Sequence, residues 1–262
     1  TRSAECTLIL CEGDSAKSGI VSGLSRDDRN VIGVYPLKGK PMNVRDVSMK
    51  KILENVENSE LKQIMGLVTG KSYKKEDIAS KLRYGKVLFM TDQDLDGVHI
   101  KGLCINLIHT QWKELIQIPQ FIGFMNTPIL KATKGTKSIP FYSQGEYDAW
   151  KETQEPATLC KWKIKYYKGF GTSTGKEFKE YFENKKIVSF KYTEEGTNTA
   201  LDLIFDKSMA DERKDWLGNF DKSVVLDTGR SEIKYEEFVH QEFIFFSKYD
   251  CERNIANLMD GL

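Results

Sequence analysis

Three carboxylates at alternate positions, Asp92, Asp94 and Asp96, follow directly on the apolar run 86–90 (KVLFM) and lead into Gly97. Held that close, the negative charges repel one another unless a cation neutralises them, and an all-oxygen set suits Mg²⁺ rather than zinc or copper. A second acidic segment, Glu12-Gly13-Asp14-Ser15-Ala16-Lys17, follows the apolar run 7–11 (TLILC). Glu12 adds a carboxylate, Gly13 permits close backbone approach, and Ser15 and Lys17 offer a hydroxyl and an ammonium to a phosphate at a helix start. Lys38, Gly39 and Lys40, with Asn43 and Arg45, and later Lys168 beside Gly169, put cations next to flexible backbone, a pairing that grips nucleic-acid phosphates. His99, followed by Lys101, reads either as a phosphate contact near the metal or as a helix-surface residue; it lies apart from His109 and His240, so the sequence has no histidine cluster.

Simpler readings compete. The triplet at 92–96 would be a solvated acidic turn if no cation bound it, Asp14 or Ser15 a plain helix N-cap, and any one lysine a solvated surface charge. An EF-hand calcium loop shares the D-x-D-x-D-G opening, but its twelfth position needs Glu where this chain has Leu103, and its leading helix is replaced by KVLFM. A P-loop at 169–176 fails as well, because Phe170 occupies the first glycine position and Glu177 the Ser/Thr position. No ATPase of the chain's own is expected.

The elements that must position these groups follow from periodicity. Runs 7–11, 31–35 (stopped by Pro36), 86–90 and 121–126 read as strands, separated by helical patterns after Gly13, at 44–57 and 60–67, and from Gly97 to about 115. Strands alternating with helices close into a parallel sheet flanked by helices, with ligands at the carboxyl ends of its strands, where both acidic segments fall. Beyond Pro128, 131–160 reads as hairpin or loop decoration, 162–167, 189–192 and 201–205 as strands, and 176–182, 210–220 and 235–246 as helices. The fold expected is α/β, a Rossmann-like parallel sheet over 1–130, its insertion and completion over 131–175, and a smaller mixed α+β extension over 176–262.

The chain's 262 residues, 40% of them apolar, suffice for a sizeable core, and a net charge of +1 argues against a basic coat protein or an acidic tail. The balance is uneven: 161–191 holds nine Lys against three Glu, while 192–262 is acidic. Five scattered cysteines without a C-x-x-C pair read as reduced thiols of an intracellular protein. No apolar run approaches the roughly 18 residues of a membrane span, so no membrane partner is expected. An apolar strand almost immediately after Thr1 suggests a piece of a longer polypeptide.

Taken together, Glu12-Gly13-Asp14-Ser15-Ala16, the segment from Pro36 to Arg45 and Thr91-Asp92-Gln93-Asp94-Leu95-Asp96-Gly97 resemble the TOPRIM domain of type IIA DNA topoisomerases. Tyr166-Tyr167-Lys168-Gly169-Phe170-Gly171-Thr172 and Asp211-Glu212-Arg213-Lys214-Asp215-Trp216-Leu217 look like signatures of the eukaryotic branch. Lys38 and Phe170 depart from the usual Arg and Leu, and 254–259 from the usual wording, which leaves a protozoan, a fungus or a large DNA virus open as source.

The resemblance implies a double-strand cleavage and religation core that passes one duplex through another. Glu12, Asp92 and Asp94 would be catalytic and bind Mg²⁺ (Mn²⁺ as a substitute), with Asp96 as a supporting ligand and Glu12 exchanging a proton with the sugar 3′-oxygen. Gly13, Ser15, Lys17, Lys38, Gly39, Lys40, Asn43, Arg45, His99, Lys168, Arg213 and Lys214 would line the path of double-stranded DNA. The implied partners are the rest of the chain, with its winged-helix tyrosine and its ATP site, and a second copy in a homodimer. Arg83-Tyr84, the one Arg-Tyr pair, reads as structural, and Asp260-Gly261-Leu262 as the lead-in to the winged helix. The nucleus is the expected compartment for a cellular enzyme, the host cytoplasm or virion for a viral one. A TOPRIM nuclease or primase and a non-catalytic DNA-binding module are the alternatives.

Overall fold

The apolar runs lie side by side. In a computed structural model describing residues 2–259, with side chains through residue 254, β1 (Thr7–Glu12), β2 (Ile32–Leu37), β3 (Lys86–Met90) and β4 (Ile122–Met125) form a parallel array in the order β2-β1-β3-β4. Strand alternation sends Leu8, Leu10, Val87 and Phe89 to one face and Ile9, Cys11, Leu88 and Met90 to the other, and the two sets join separate buried clusters. Burial on both faces is why these strands read as unbroken apolar runs.

Along the chain, α1 (Gly13–Gly23) and α2 (Asp28–Val31) connect β1 to β2. The helices α3 (Met49–Glu54), α4 (Val56–Met65) and α5 (Ile78–Lys81) precede β3, and α6 (Leu95–Gln111) runs from β3 toward β4. Next come β5 (Leu130–Lys134), β6 (Lys137–Phe141) and β7 (Lys163–Tyr166), an antiparallel three-stranded sheet with α7 (Gln144–Glu152) and α8 (Pro156–Leu159) between its last two strands in sequence. After α9 (Gly175–Asn184), β8 (Ile187–Lys191) pairs antiparallel with β4. Beyond α10 (Gly196–Phe205) and α11 (Ala210–Gly218), β9 (Glu232–Lys234) pairs parallel with β8. The main sheet thus has six strands, two of them from the last third of the chain. The C-terminal helix comprises α12 (Tyr235–Phe238), a π turn (Val239–Phe243) and α13 (Ile244–Met259). No described helix is long and apolar enough to cross a membrane; Asp260-Gly261-Leu262 lie outside the described residues.

Several boundaries differ from the sequence reading. Residues 201–205 are not a strand but the end of α10, whose Thr197, Ala200, Leu201, Ile204 and Phe205 are buried at helical spacing; a five-residue apolar run carries too little periodicity to distinguish the two. Pro36 does not stop β2, which continues to Leu37, because β2 is an edge strand where a missing N–H leaves no ladder bond unmade. Helix α3 starts only at Met49, where the Ser48 side chain accepts from the Lys51 N–H, and α4 ends at Gly66 in a left-handed cap.

One face of the sheet is closed by α1 packing on α9. A Cβ added at Gly19 would lie 2.4 Å from the Phe178 ring, and one at Gly23 2.6 Å from the Phe178 backbone carbonyl carbon. A ring can turn aside, whereas backbone in a packed helix cannot. Gly23→Ala is therefore expected to lower stability by about 1–3 kcal/mol and Gly19→Ala by less, measured by chemical denaturation. Equal effects at the two sites would contradict the backbone contact.

Candidate functional site

Two helices start where two neighbouring strands end. Glu12 closes β1 and sits at the N-cap of α1, while the 92–96 turn follows β3 and Asp94 caps α6 by accepting the Gly97 N–H at 2.8 Å. Parallel strands and right-handed crossovers thus bring both acidic segments to one sheet edge, with a helix N-terminus behind each. Burial first, then Asp92, Asp94 and Asp96, push the Glu12 carboxyl above its ordinary value against the pull of Lys40. Burial and Asp94 push Asp92 up, although the Phe170 N–H donated to it opposes this. Asp96 is held low by the Lys40 ammonium, 2.6 Å away.

The acidic turn is fastened from outside as well. The Phe170 N–H donates to Asp92 Oδ1 at 2.8 Å, and Gly169 lies so close that a Cβ there would sit 2.4 Å from Asp92 Oδ2. At Gly97 a Cβ would sit 2.1 Å from the Asp92 carbonyl oxygen. The 166–174 segment is fixed in turn by Glu177, whose carboxylate takes Lys165 Nζ at 2.8 Å, the Tyr167 hydroxyl and the Thr174 N–H at 2.7 Å. Burial alone would raise Glu177, yet Lys165, Tyr167 and Thr174 bring it down to about 2. The sequence reading took Gly169 only as flexible backbone beside Lys168 and passed over Phe170 and Glu177 as site residues, although Thr174-x-x-Glu177 is a legible capping box.

Other basic candidates divide into two groups. Lys38 and Lys40 follow β2 around Gly39, whose φ of +135° favours glycine; Lys38 is exposed, and its backbone N–H donates to Glu57 at 2.6 Å. Gly13, Ser15 and Lys17 lie in the first turns of α1, beside Glu12, and Lys168 is exposed next to Gly169. Asn43, His99, Arg213 and Lys214 instead line a cleft of about 340 Å³ against the C-terminal helix. Within it, Arg213 donates to the Leu203 and Asp206 carbonyls, Lys214 pairs with Asp211 at 2.7 Å, and Asn43 binds the Phe205 carbonyl and Asn106. Arg45 turns inward to Asn106, His109 and Asp202. His99 stacks on Phe246 at 3.9 Å, and burial, then Lys40, push its pKa down to about 4, which makes the ring neutral at pH 7. A second cavity, about 460 Å³, opens beside Asp92 and Asp94 between Phe89, Phe124, Leu226 and Glu242.

The donor set fits a hard cation: all carboxylate oxygens, with Glu12 and Asp92 raised first by burial and then by neighbouring carboxylates, while the Lys40 ammonium is engaged by Asp96. Among the described residues no three His, Cys, Asp or Glu side chains are gathered closely enough to hold a metal ion, Glu12, Asp92 and Asp94 included.

Two expectations follow. Gly169→Ala should displace Asp92 and shift its carboxyl signal in NMR spectra while costing little stability; an unmoved signal would contradict the contact. Because Glu177 is depressed to about 2 from an ordinary 4.5, its contribution is present above pH 4.5 and lost as pH falls through 2. The melting-temperature gap between the native chain and Glu177→Gln should narrow over that window, and a gap independent of pH would contradict the assignment.

Comparison with known proteins points the same way. The Toprim domain profile matches residues 7–120, and the profile of the C-terminal associated domain of TOPRIM matches 125–251. DNA topoisomerase 2 of Plasmodium falciparum is 47% identical over 263 residues, DNA topoisomerase 2-alpha of Rattus norvegicus 47% over 274, and DNA topoisomerase 2 of Bombyx mori 48% over 272. These alignments take in 98–99% of this chain but only 17–18% of the relatives' length. The crystal structure of the Plasmodium falciparum topoisomerase II DNA-binding, cleavage and re-ligation domain superposes with a TM-score of 0.90 at 45% identity, over 97% of this chain and 34% of that one. The chain belongs to the DNA topoisomerase 2 family and carries that family's Toprim domain with the domain that follows it.

Proposed function

We propose that this chain supplies the metal-holding half of a double-strand DNA cleavage and religation site, within an ATP-dependent enzyme that passes one duplex through another. The observation that carries this reading is the convergence of Glu12, Asp92 and Asp94 at one sheet edge, with Glu12 raised by burial and the aspartates of the 92–96 turn, and Asp92 by burial and Asp94. Glu12, Asp92 and Asp94 would hold Mg²⁺ (or Mn²⁺), with Asp96 in support. Bound there, the ion would supply Lewis-acid stabilisation of charge on a sugar oxygen.

The chain's own groups do the rest. Glu12, its carboxyl already raised, exchanges a proton with the 3′-oxygen. Gly13, Ser15 and Lys17 at the start of α1, and Lys38, Gly39 and Lys40 after β2, hold phosphates of the cleaved strand, and Lys168 reaches the backbone from the opposite loop. His99, Asn43, Arg213 and Lys214 border the DNA path further along, with Arg213 and Asn43 shaping the cleft wall rather than meeting DNA. Arg45 supports from beneath through Asp202. The nucleophilic tyrosine and the ATP site belong to other parts of a homodimeric parent, which acts in the nucleus if cellular.

Asp92→Ala in the parent enzyme should lower metal-dependent DNA cleavage by at least about 100-fold, with DNA affinity within a few-fold of the original. Normal cleavage would overturn the assignment.

A further inference from the structure

The cleavage reading leaves unused an ion pair between a buried lysine and a half-buried glutamate. Lys101 Nζ lies 3.1 and 3.2 Å from the two Glu242 oxygens, with the Lys101 side chain 7% exposed. The ammonium also sits 4.3 Å from the Phe124 ring centroid and 5.3 Å from that of Phe238. Glu242 belongs to the π turn, a widened turn that re-aims side chains and is enriched where function needs it. Two residues bring the C-terminal helix onto α6 around this pair. A Cβ at Gly102 would lie 2.5 Å from the Phe243 ring, and Phe246 stacks on His99. At about 100° per residue, Gly102 faces the crossing, with Lys101 on one flank and His99 on the other.

Helix α6 is stiff, so whatever fixes residues 99–102 also fixes its first turn, where Asp94 caps and Asp96 projects. A second route reaches the same turn: Lys40 bonds Asp96 at 2.6 Å and lies 5.4 Å from the Phe246 ring centroid. The Glu242–Lys101 pair and the Phe246 contacts thus bracket the acidic turn from below and from the side.

We propose that Glu242, acting through Lys101, is a positioning residue for the acidic turn, so that the C-terminal helix sets the geometry at Asp92, Asp94 and Asp96. This rests on the metal-holding role proposed above. Removing one partner would strand a buried charge, whereas replacing both by apolar groups of similar volume leaves the fold stable. The informative variant is therefore Lys101→Met with Glu242→Leu, tested in the 262-residue chain with Mn²⁺ alone. Free Mn²⁺ is followed by electron paramagnetic resonance, amide exchange at Leu95–Val98 is measured without metal, and melting temperature serves as the control for folding.

The proposal expects a melting temperature within a few degrees of the native chain, Mn²⁺ affinity reduced about tenfold, and faster amide exchange in that first turn. Unchanged affinity with an intact fold would overturn it and leave the metal assignment standing. Native chain that binds no Mn²⁺ at Glu12 and Asp92 would overturn both. Should the double variant fail to fold, Glu242→Gln, which keeps the volume and one hydrogen bond to Lys101, makes the same test, with reduced affinity supporting the proposal and native affinity overturning it.

Discussion

Repulsion among the carboxylates at one sheet edge is the constraint around which the site is built. Burial and neighbouring carboxylates together raise Glu12 and Asp92, and each acidic side chain of the 92–96 turn is restrained by a different donor: Asp92 by the Phe170 N–H, Asp94 by the Gly97 N–H, Asp96 by Lys40. None of these donors comes from the same place in the sequence, so the turn keeps its shape only when the sheet, α6, the loop after β2 and the 166–174 segment are all in position. A carboxylate cluster stripped of those restraints would spread into water. Held as it is, a bound cation would relieve its repulsion, in keeping with the metal-holding role proposed above.

Close contacts, two of them long-range, also account for glycine at places where a turn alone would not demand it. Gly169 makes room for the Asp92 carboxylate, Gly97 for the carbonyl behind it, and Gly102 for the ring of Phe243. Each supports the same small region from another side, and each would admit a methyl group only by moving a neighbour. The arrangement also explains why so little of α6 is free: apart from His99, every residue from Gly97 to His109 is buried.

Much of this was legible in the sequence where chemistry and periodicity coincide locally. The apolar runs at 7–11 and 86–90 announce strands buried on both faces, and the acidic residues that follow them announce a site at their carboxyl ends. Arg45 and Asn43 were harder, because a polar donor beside flexible backbone looks the same whether it meets a phosphate or, as here, Asp202, Asn106 and a helix end. Arg213 is similar, its guanidinium spent on the carbonyls that finish α10. The Lys101–Glu242 pair spans 141 residues and the Phe170–Asp92 bond 78, distances over which no spacing rule operates. Residues 201–205 show the opposite difficulty, a run too short to reveal its own period.

The central claim, that Glu12, Asp92 and Asp94 hold a divalent cation, is tested most directly by anomalous diffraction at the manganese edge from crystals of this chain soaked in Mn²⁺. An anomalous peak is expected within coordinating distance of Glu12 and Asp92 or Asp94. Manganese bound only elsewhere, with these carboxylates bare, would contradict it.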